Sequence, residues 1–213
     1  MTAHSLKLYI DYKSPYAYLA KDLAYDLERE SGVRLDWLPY TLDIPSYLGS
    51  ARVNAQGIVE AESRNQHQWR RVRYSYMDCR REANRRGLTI LGPQKIFDSS
   101  LANIGLLYAK RQGVFRPYND LTFERFWKRE LDIEHLEKIA AVLVEAGADA
   151  TDFADFAAGQ GRRELKEVER QAEAAGVFGV PSFLLEDGDL YWGREHLPHL
   201  RELLSRPTGL RPT

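Results

Sequence analysis

Two short segments carry groups suited to chemistry: Ser14-Pro15-Tyr16-Ala17, just after an apolar run, and Gly179-Val180-Pro181-Ser182 near the far end. Ser14 occupies a helix N-cap position, and Pro15 follows at the first helical position, where its missing N–H is harmless. A hydroxyl there, with the first free backbone N–H groups, faces whatever lies above the helix and favours an anion. For a guest thiol of pKa ~8.5, half ionisation at pH 7 needs a shift of ~1.5 units, or ~2 kcal/mol. A hydrogen bond to a charged group supplies ~1.5–3 kcal/mol, and the helix dipole up to ~1 kcal/mol. No second charge is required. The plainer alternative is that Ser14 caps its helix and does nothing more.

Val180-Pro181 also has two readings. Most X-Pro bonds are trans. A cis bond here, with Gly179 upstream and a strand following, leaves the Val180 N–H and C=O unpaired by the sheet and ready to dock an extended peptide backbone. Cys79 is the only cysteine, which excludes an internal disulfide and a CxxC redox centre. The pattern therefore suits a chain that binds a thiol rather than one that supplies a redox pair.

Other residues invite chemistry less strongly. Eight arginines between Arg64 and Arg86, interleaved with Trp69, Tyr74 and Tyr76, suggest a nucleic-acid strip, a carboxylate-facing patch or a solvated helix. Spread over more than six turns, they cannot share one face, and the solvated helix is preferred, with a carboxylate patch second. His196 and His199 have a metal-compatible spacing beside Glu195, but nothing nearby completes a ligand set, so no metal is expected. Cys79, followed by two arginines, reads as a small packing residue. No GxSxG elbow surrounds Ser14, so an acyl-enzyme has little support.

The elements that must position these groups follow from periodicity. Residues 6–12 read as a strand, and Leu19, Ala20, Leu23, Ala24 and Leu27 give the following helix an apolar face closed by Gly32. Residues 33–40 alternate as a second strand, parallel to the first through a right-handed crossover. Helical patterns then cover 60–86, 98–112, 121–130, 132–146 and 149–158, separated at Gly87, Gly92-Pro93, Gly113, Pro117 and Gly147. A helix over 162–175 closes at Gly176, residues 182–186 and 189–192 form a hairpin about Asp187-Gly188, and a last helix ends near Leu204. The class is α/β, a thioredoxin-like fold split by an all-helical insertion. Residues 1–48 and 162–213 form the thioredoxin-like domain and 49–161 the insertion. The tail from Ser205 is expected to fray.

Bulk properties agree. The 213 residues, 44% hydrophobic and 29% charged, suit a folded domain, and a net charge of −1 gives no field favouring nucleic acid or membrane surfaces. No apolar run approaches the ~20 residues of a membrane span, and the N-terminus lacks the pattern of a signal peptide. The expected location is cytoplasmic.

Segments 10–20 and 176–197, with weaker support from 45–49 and 74–87, resemble the 2-hydroxychromene-2-carboxylate isomerases and kappa-class glutathione transferases, in the DsbA-like branch of the thioredoxin superfamily. The resemblance implies glutathione as ligand, with Ser14 as the catalytic serine and the backbone at Val180, beside Pro181, pairing with the cysteinyl part. It places Arg52 and Asn54 after the second strand, and Arg194 and Glu195 at the last helix, around the rest of glutathione. The run Ala51-Arg52-Val53-Asn54 departs from the family pattern, and so does Gly193-Arg194-Glu195, whose side chains are longer than usual. Tyr16, Tyr18 and Trp192 are candidates for the substrate side of the pocket, with core packing the equal alternative. The implied activity is glutathione-dependent isomerisation of an aromatic or unsaturated oxo-acid, a small electrophile. Alternatives are a kappa-like transferase and a non-redox DsbA-like binding or chaperone module; a homodimer stays open.

Overall fold

The computed structural model describes residues 5–205; the tail beyond Ser205 lies outside them. Strand β1 (Ser5–Ile10) runs parallel to β2 (Arg34–Pro39), with Leu8 opposite Trp37. Helix α1 (Pro15–Ser31) makes the crossover. On its other edge β1 pairs antiparallel with β5 (Ser182–Leu184), which pairs antiparallel with β6 (Leu190–Trp192), giving the sheet order β2-β1-β5-β6. Leu6, Leu8, Tyr9 and Ile10 are all buried. This suits a strand covered on both faces, where an apolar run replaces alternation.

After β2 come a short helix α2 (Ile44–Leu48) and, contrary to the all-helical expectation for the insertion, a small antiparallel sheet of β3 (Ala51–Val53) and β4 (Val59–Glu62). The long helix α3 (Gln66–Arg85) therefore begins later than its apparent pattern. Asn65 fixes the start as a capping box: its side chain accepts the Gln68 N–H at 2.9 Å while its own N–H donates to Gln68 Oε1 at 2.9 Å.

Helices α4 (Ser100–Arg111), α5 (Phe115–Trp127), α6 (Leu136–Glu145), α7 (Phe153–Ala158) and α8 (Gln160–Ala174) complete the insertion and the return to the sheet. Pro117, expected to separate helices, lies instead in the first turn of α5, where an amide hydrogen would have no intrahelical partner. Helix α4 is the hub, packed against α5, α6, α7, α8 and β2. Gly105 in α4 permits the closest approach, since a Cβ there would collide with the Tyr118 hydroxyl. Helix α8 touches α4 and α7 as well as β2, joining insertion and sheet. A 3-10 turn (Arg194–His196) and α9 (Leu197–Ser205) close the chain against α1.

Candidate functional site

The site begins where β1 ends. The Ser14 N–H donates to the Asp11 carbonyl at 2.9 Å, and Ser14 Oγ accepts the Ala17 N–H at 3.2 Å, so Ser14 caps α1 as its sequence context requires. The same Oγ donates to the Val180 carbonyl, 166 residues away, at 3.4 Å. The Val180-Pro181 bond is cis. The Val180 N–H makes no hydrogen bond to any described residue.

The loop before β5 is fixed from its own backbone. Ser182 Oγ donates to the Gly179 carbonyl at 2.7 Å, and the Pro181 carbonyl accepts the Gly193 N–H at 2.9 Å. Trp192 lies on this loop because Gly179 has no side chain: a Cβ there would stand 2.7 Å from the indole Nε1. Trp192 is 50% exposed and pairs with Phe178, 62% exposed, at a ring separation of 5.0 Å.

Tyr16 extends the site toward α3. Its hydroxyl donates to Asp78 at 3.5 Å, and Arg194 sits over its ring at 5.3 Å while pairing with Asp78 at 3.7 Å. Burial pushes the Tyr16 phenol up to about 12, so it keeps its proton at neutral pH. Glu195 is exposed, folds back against Gly193, and has no cation within 4 Å among the described residues. Its carboxylate is open to an ammonium group. Cys79 is fully buried and its thiol is pushed up to about 12 by burial, which agrees with a packing residue. His196 and His199 both lie against the Tyr191 ring.

Ser14 thus meets Val180 beside Pro181, Trp192 lies on Gly179 of the same loop, and Tyr16 meets Arg194, which Glu195 follows. The other expected residues stand elsewhere. Arg52 is exposed on β3 and pairs with Glu60 across the hairpin at 3.5 Å. Asn54 turns that hairpin, its Oδ1 accepting the Gln56 and Ile58 N–H groups at 3.0 and 2.9 Å. Neither touches another expected site residue. Tyr18, expected at the substrate pocket, is only 3% exposed and stacks on Phe123 and Trp127. Its ring has been drawn into the core between α1 and α5.

Sequence reasoning passed over Asp11 and Lys13, both buried directly before Ser14. The Asp11 carboxylate accepts the Lys13 N–H at 3.3 Å and the Leu42 N–H at 2.8 Å, and stands 3.7 Å from the Lys13 ammonium. Burial raises the Asp11 carboxyl above its ordinary value, opposed by Lys13 and by these hydrogen bonds. The pair ties the Ser14 loop to the segment after β2. The available signal was two opposite charges spaced i, i+2 just after the strand's apolar end Leu8-Tyr9-Ile10.

Fold and site together define a thioredoxin-like protein with serine at the start of its first helix. The DSBA-like thioredoxin domain matches residues 5–205, and the chain belongs to that family. It is 27% identical over 203 residues to a 2-hydroxychromene-2-carboxylate isomerase of Sphingobium xenophagum, covering 94% of this chain and 97% of that protein. The corresponding isomerase of Pseudomonas putida is 28% identical, with 93% of each chain covered. Among solved structures, a 2-hydroxychromene-2-carboxylate isomerase superposes with a TM-score of 0.73 at 22% identity, covering 94% of both chains. A probable DsbA oxidoreductase from Streptomyces coelicolor gives 0.75 at 18% identity, covering 99% of this chain and 94% of that one. Among the described residues no helix is long and apolar enough to cross a membrane.

Proposed function

We propose that the protein is a glutathione-dependent isomerase of an aromatic or unsaturated oxo-acid. The observation that carries this reading is the 3.4 Å contact between Ser14 Oγ and the Val180 carbonyl. It brings a helix start and a cis-proline loop together with no cysteine at either. The likeness to proteins named 2-hydroxychromene-2-carboxylate isomerase supports the same choice.

The residues present fit glutathione. The unpartnered Val180 N–H and its neighbouring carbonyl suit the backbone of a cysteinyl residue. Glu195 offers a carboxylate to an ammonium, and the Ser14 hydroxyl, on turning from the Val180 carbonyl, offers its one proton to a sulfur anion beside the first turn of α1. When bound, glutathione supplies a thiolate whose reversible addition turns a double bond of the substrate into a single bond free to rotate, and whose expulsion restores the double bond. The Ser14 hydroxyl and the start of α1 would stabilise the sulfur anion before addition and again after expulsion, so no net proton is needed. Tyr16, kept neutral by burial, can turn its hydroxyl from Asp78 to donate a hydrogen bond to the oxygen on which charge develops. Trp192 covers the loop at Gly179, next to Val180.

Calorimetric titration of glutathione into wild type and Ser14→Ala, with turnover of 2-hydroxychromene-2-carboxylate, tests the reading. Wild type is expected to bind glutathione, to isomerise the substrate and to leave total glutathione constant. Steady consumption of glutathione would make the protein a transferase. Absence of glutathione binding would remove the reading altogether.

A further inference from the structure

Beside α3, Arg80, Arg64 and Arg129 bring together positive charge that no described carboxylate meets within 4 Å. Arg129, just past α5, donates from Nε to the Gly92 carbonyl at 2.7 Å, and also from Nη2. Arg80 reaches the same glycine from α3: a Cβ at Gly92 would lie 3.4 Å from Arg80 Nη2 and 3.6 Å from the Tyr76 ring. Arg80 is further held by the Ile90 carbonyl at 3.2 Å and lies 5.7 Å from the centre of the Tyr76 ring. Arg64 approaches Tyr76 from α2's side, its Nε donating to the Leu48 carbonyl at 3.1 Å.

None of the three guanidinium groups has a carboxylate within 4 Å among the described residues. The nearby acids are engaged elsewhere: Glu62 accepts the Trp69 indole N–H at 2.5 Å, and Asp78 is held by Tyr16 and Arg194. The half-buried Tyr76 makes no hydrogen bond through its hydroxyl to any described residue. Its phenol is pushed up to about 12 by burial, so it remains a donor. Each guanidinium donates its Nε to a backbone carbonyl, Arg129 its Nη2 as well, which fixes its plane and leaves further N–H donors. Planar forks of this kind match a carboxylate.

The cluster adjoins the Tyr16 side of the candidate site through Cys79. Tyr16, two residues past Ser14, and Tyr76 both lie close to Cys79 on α3, one helical turn apart. We infer that Arg80, Arg129 and Arg64, with the Tyr76 hydroxyl, form the subsite for the carboxylate of an aromatic acid, with the ring of that acid lying toward Tyr16 and its reactive carbon toward Ser14. The inference rests on the proposed function for its ligand class but names residues that the glutathione site does not use.

Salicylate and its uncharged counterpart salicylamide are the probes, titrated calorimetrically into the full chain with and without glutathione. Wild type is expected to bind the acid at least ~10-fold more tightly than the amide, as guanidinium recognition of a carboxylate requires. The double variant Arg80→Gln/Arg129→Gln is expected to lose that preference while keeping its affinity for salicylamide and for glutathione. Equal affinity of wild type for acid and amide overturns the subsite, and that comparison needs no variant to fold. A preference retained in the double variant, or a loss of glutathione affinity in it, also overturns the assignment. Acid preference without turnover of 2-hydroxychromene-2-carboxylate would remove the proposed function and leave the anion site. Turnover without acid preference would do the reverse.

Discussion

The start of α1 and its middle face different company. At the start, one hydroxyl meets the Val180 carbonyl across 166 residues of chain. One turn later, Tyr18 stacks on Phe123 and Trp127, and Lys21 bridges Asp22 and Asp120 at 2.6 Å each. Tyr12, just before α1, joins the same aromatic group through Phe123 and Tyr118. The first region is built from groups that point at a ligand; the second is a seam of large side chains that fastens the insertion to the sheet. A single helix thus separates chemistry from cohesion within two turns. Changes at one region should leave the other largely intact.

The sharpest way to break that separation is Phe123→Ala. Removing a fully buried ring from the seam should cost ~3–5 kcal/mol of stability, read as a lowered midpoint in denaturant, with glutathione affinity of the folded fraction unchanged. Loss of glutathione binding at equal folded fraction would show the two regions to be coupled. Ser14→Ala comes next: ~0.5–2 kcal/mol of stability from the lost cap, and ~1.5–3 kcal/mol of thiolate stabilisation, a drop of roughly ten- to a hundredfold in turnover. Stability falling without any change in turnover would reduce Ser14 to a cap alone. Asp120→Asn removes one of Lys21's two carboxylates. Its half-exposed position limits the loss to below ~1 kcal/mol, and that loss should shrink further in high salt. Smallest of all, Cys79 should resist alkylation in the native protein at mildly alkaline pH. Burial pushes its thiol up to about 12, so rapid labelling at mildly alkaline pH would contradict the packing around Tyr16.

The contrast also explains what the sequence disclosed. Ser14-Pro15 and Gly32 bracket α1 by local rules, and the apolar run of β1 needs no partner to be recognised, so the βαβ unit was legible. The hairpin of β3 and β4 was not. Its strands span three and four residues, and those of β4 are all exposed, so no alternation marks them; the turn at Asn54 becomes visible only through its hydrogen bonds. Pro117 misled because a helix start tolerates what a helix interior does not. The pairing of Ser14 with Val180 could be anticipated from two separate motifs. The fate of Tyr18 could not, because its stacking partners on α5 are set by how the insertion folds back. For the same reason Arg129 gave no hint of joining Arg80 at Gly92.

The most direct test follows the ultraviolet absorbance of the thiolate of bound glutathione as pH is varied, in wild type and in Ser14→Ala. Wild type should reach half ionisation near pH ~7, and the variant should return toward the ordinary thiol value of ~8.5. Identical titrations in the two proteins would show that Ser14 does not hold the sulfur as an anion.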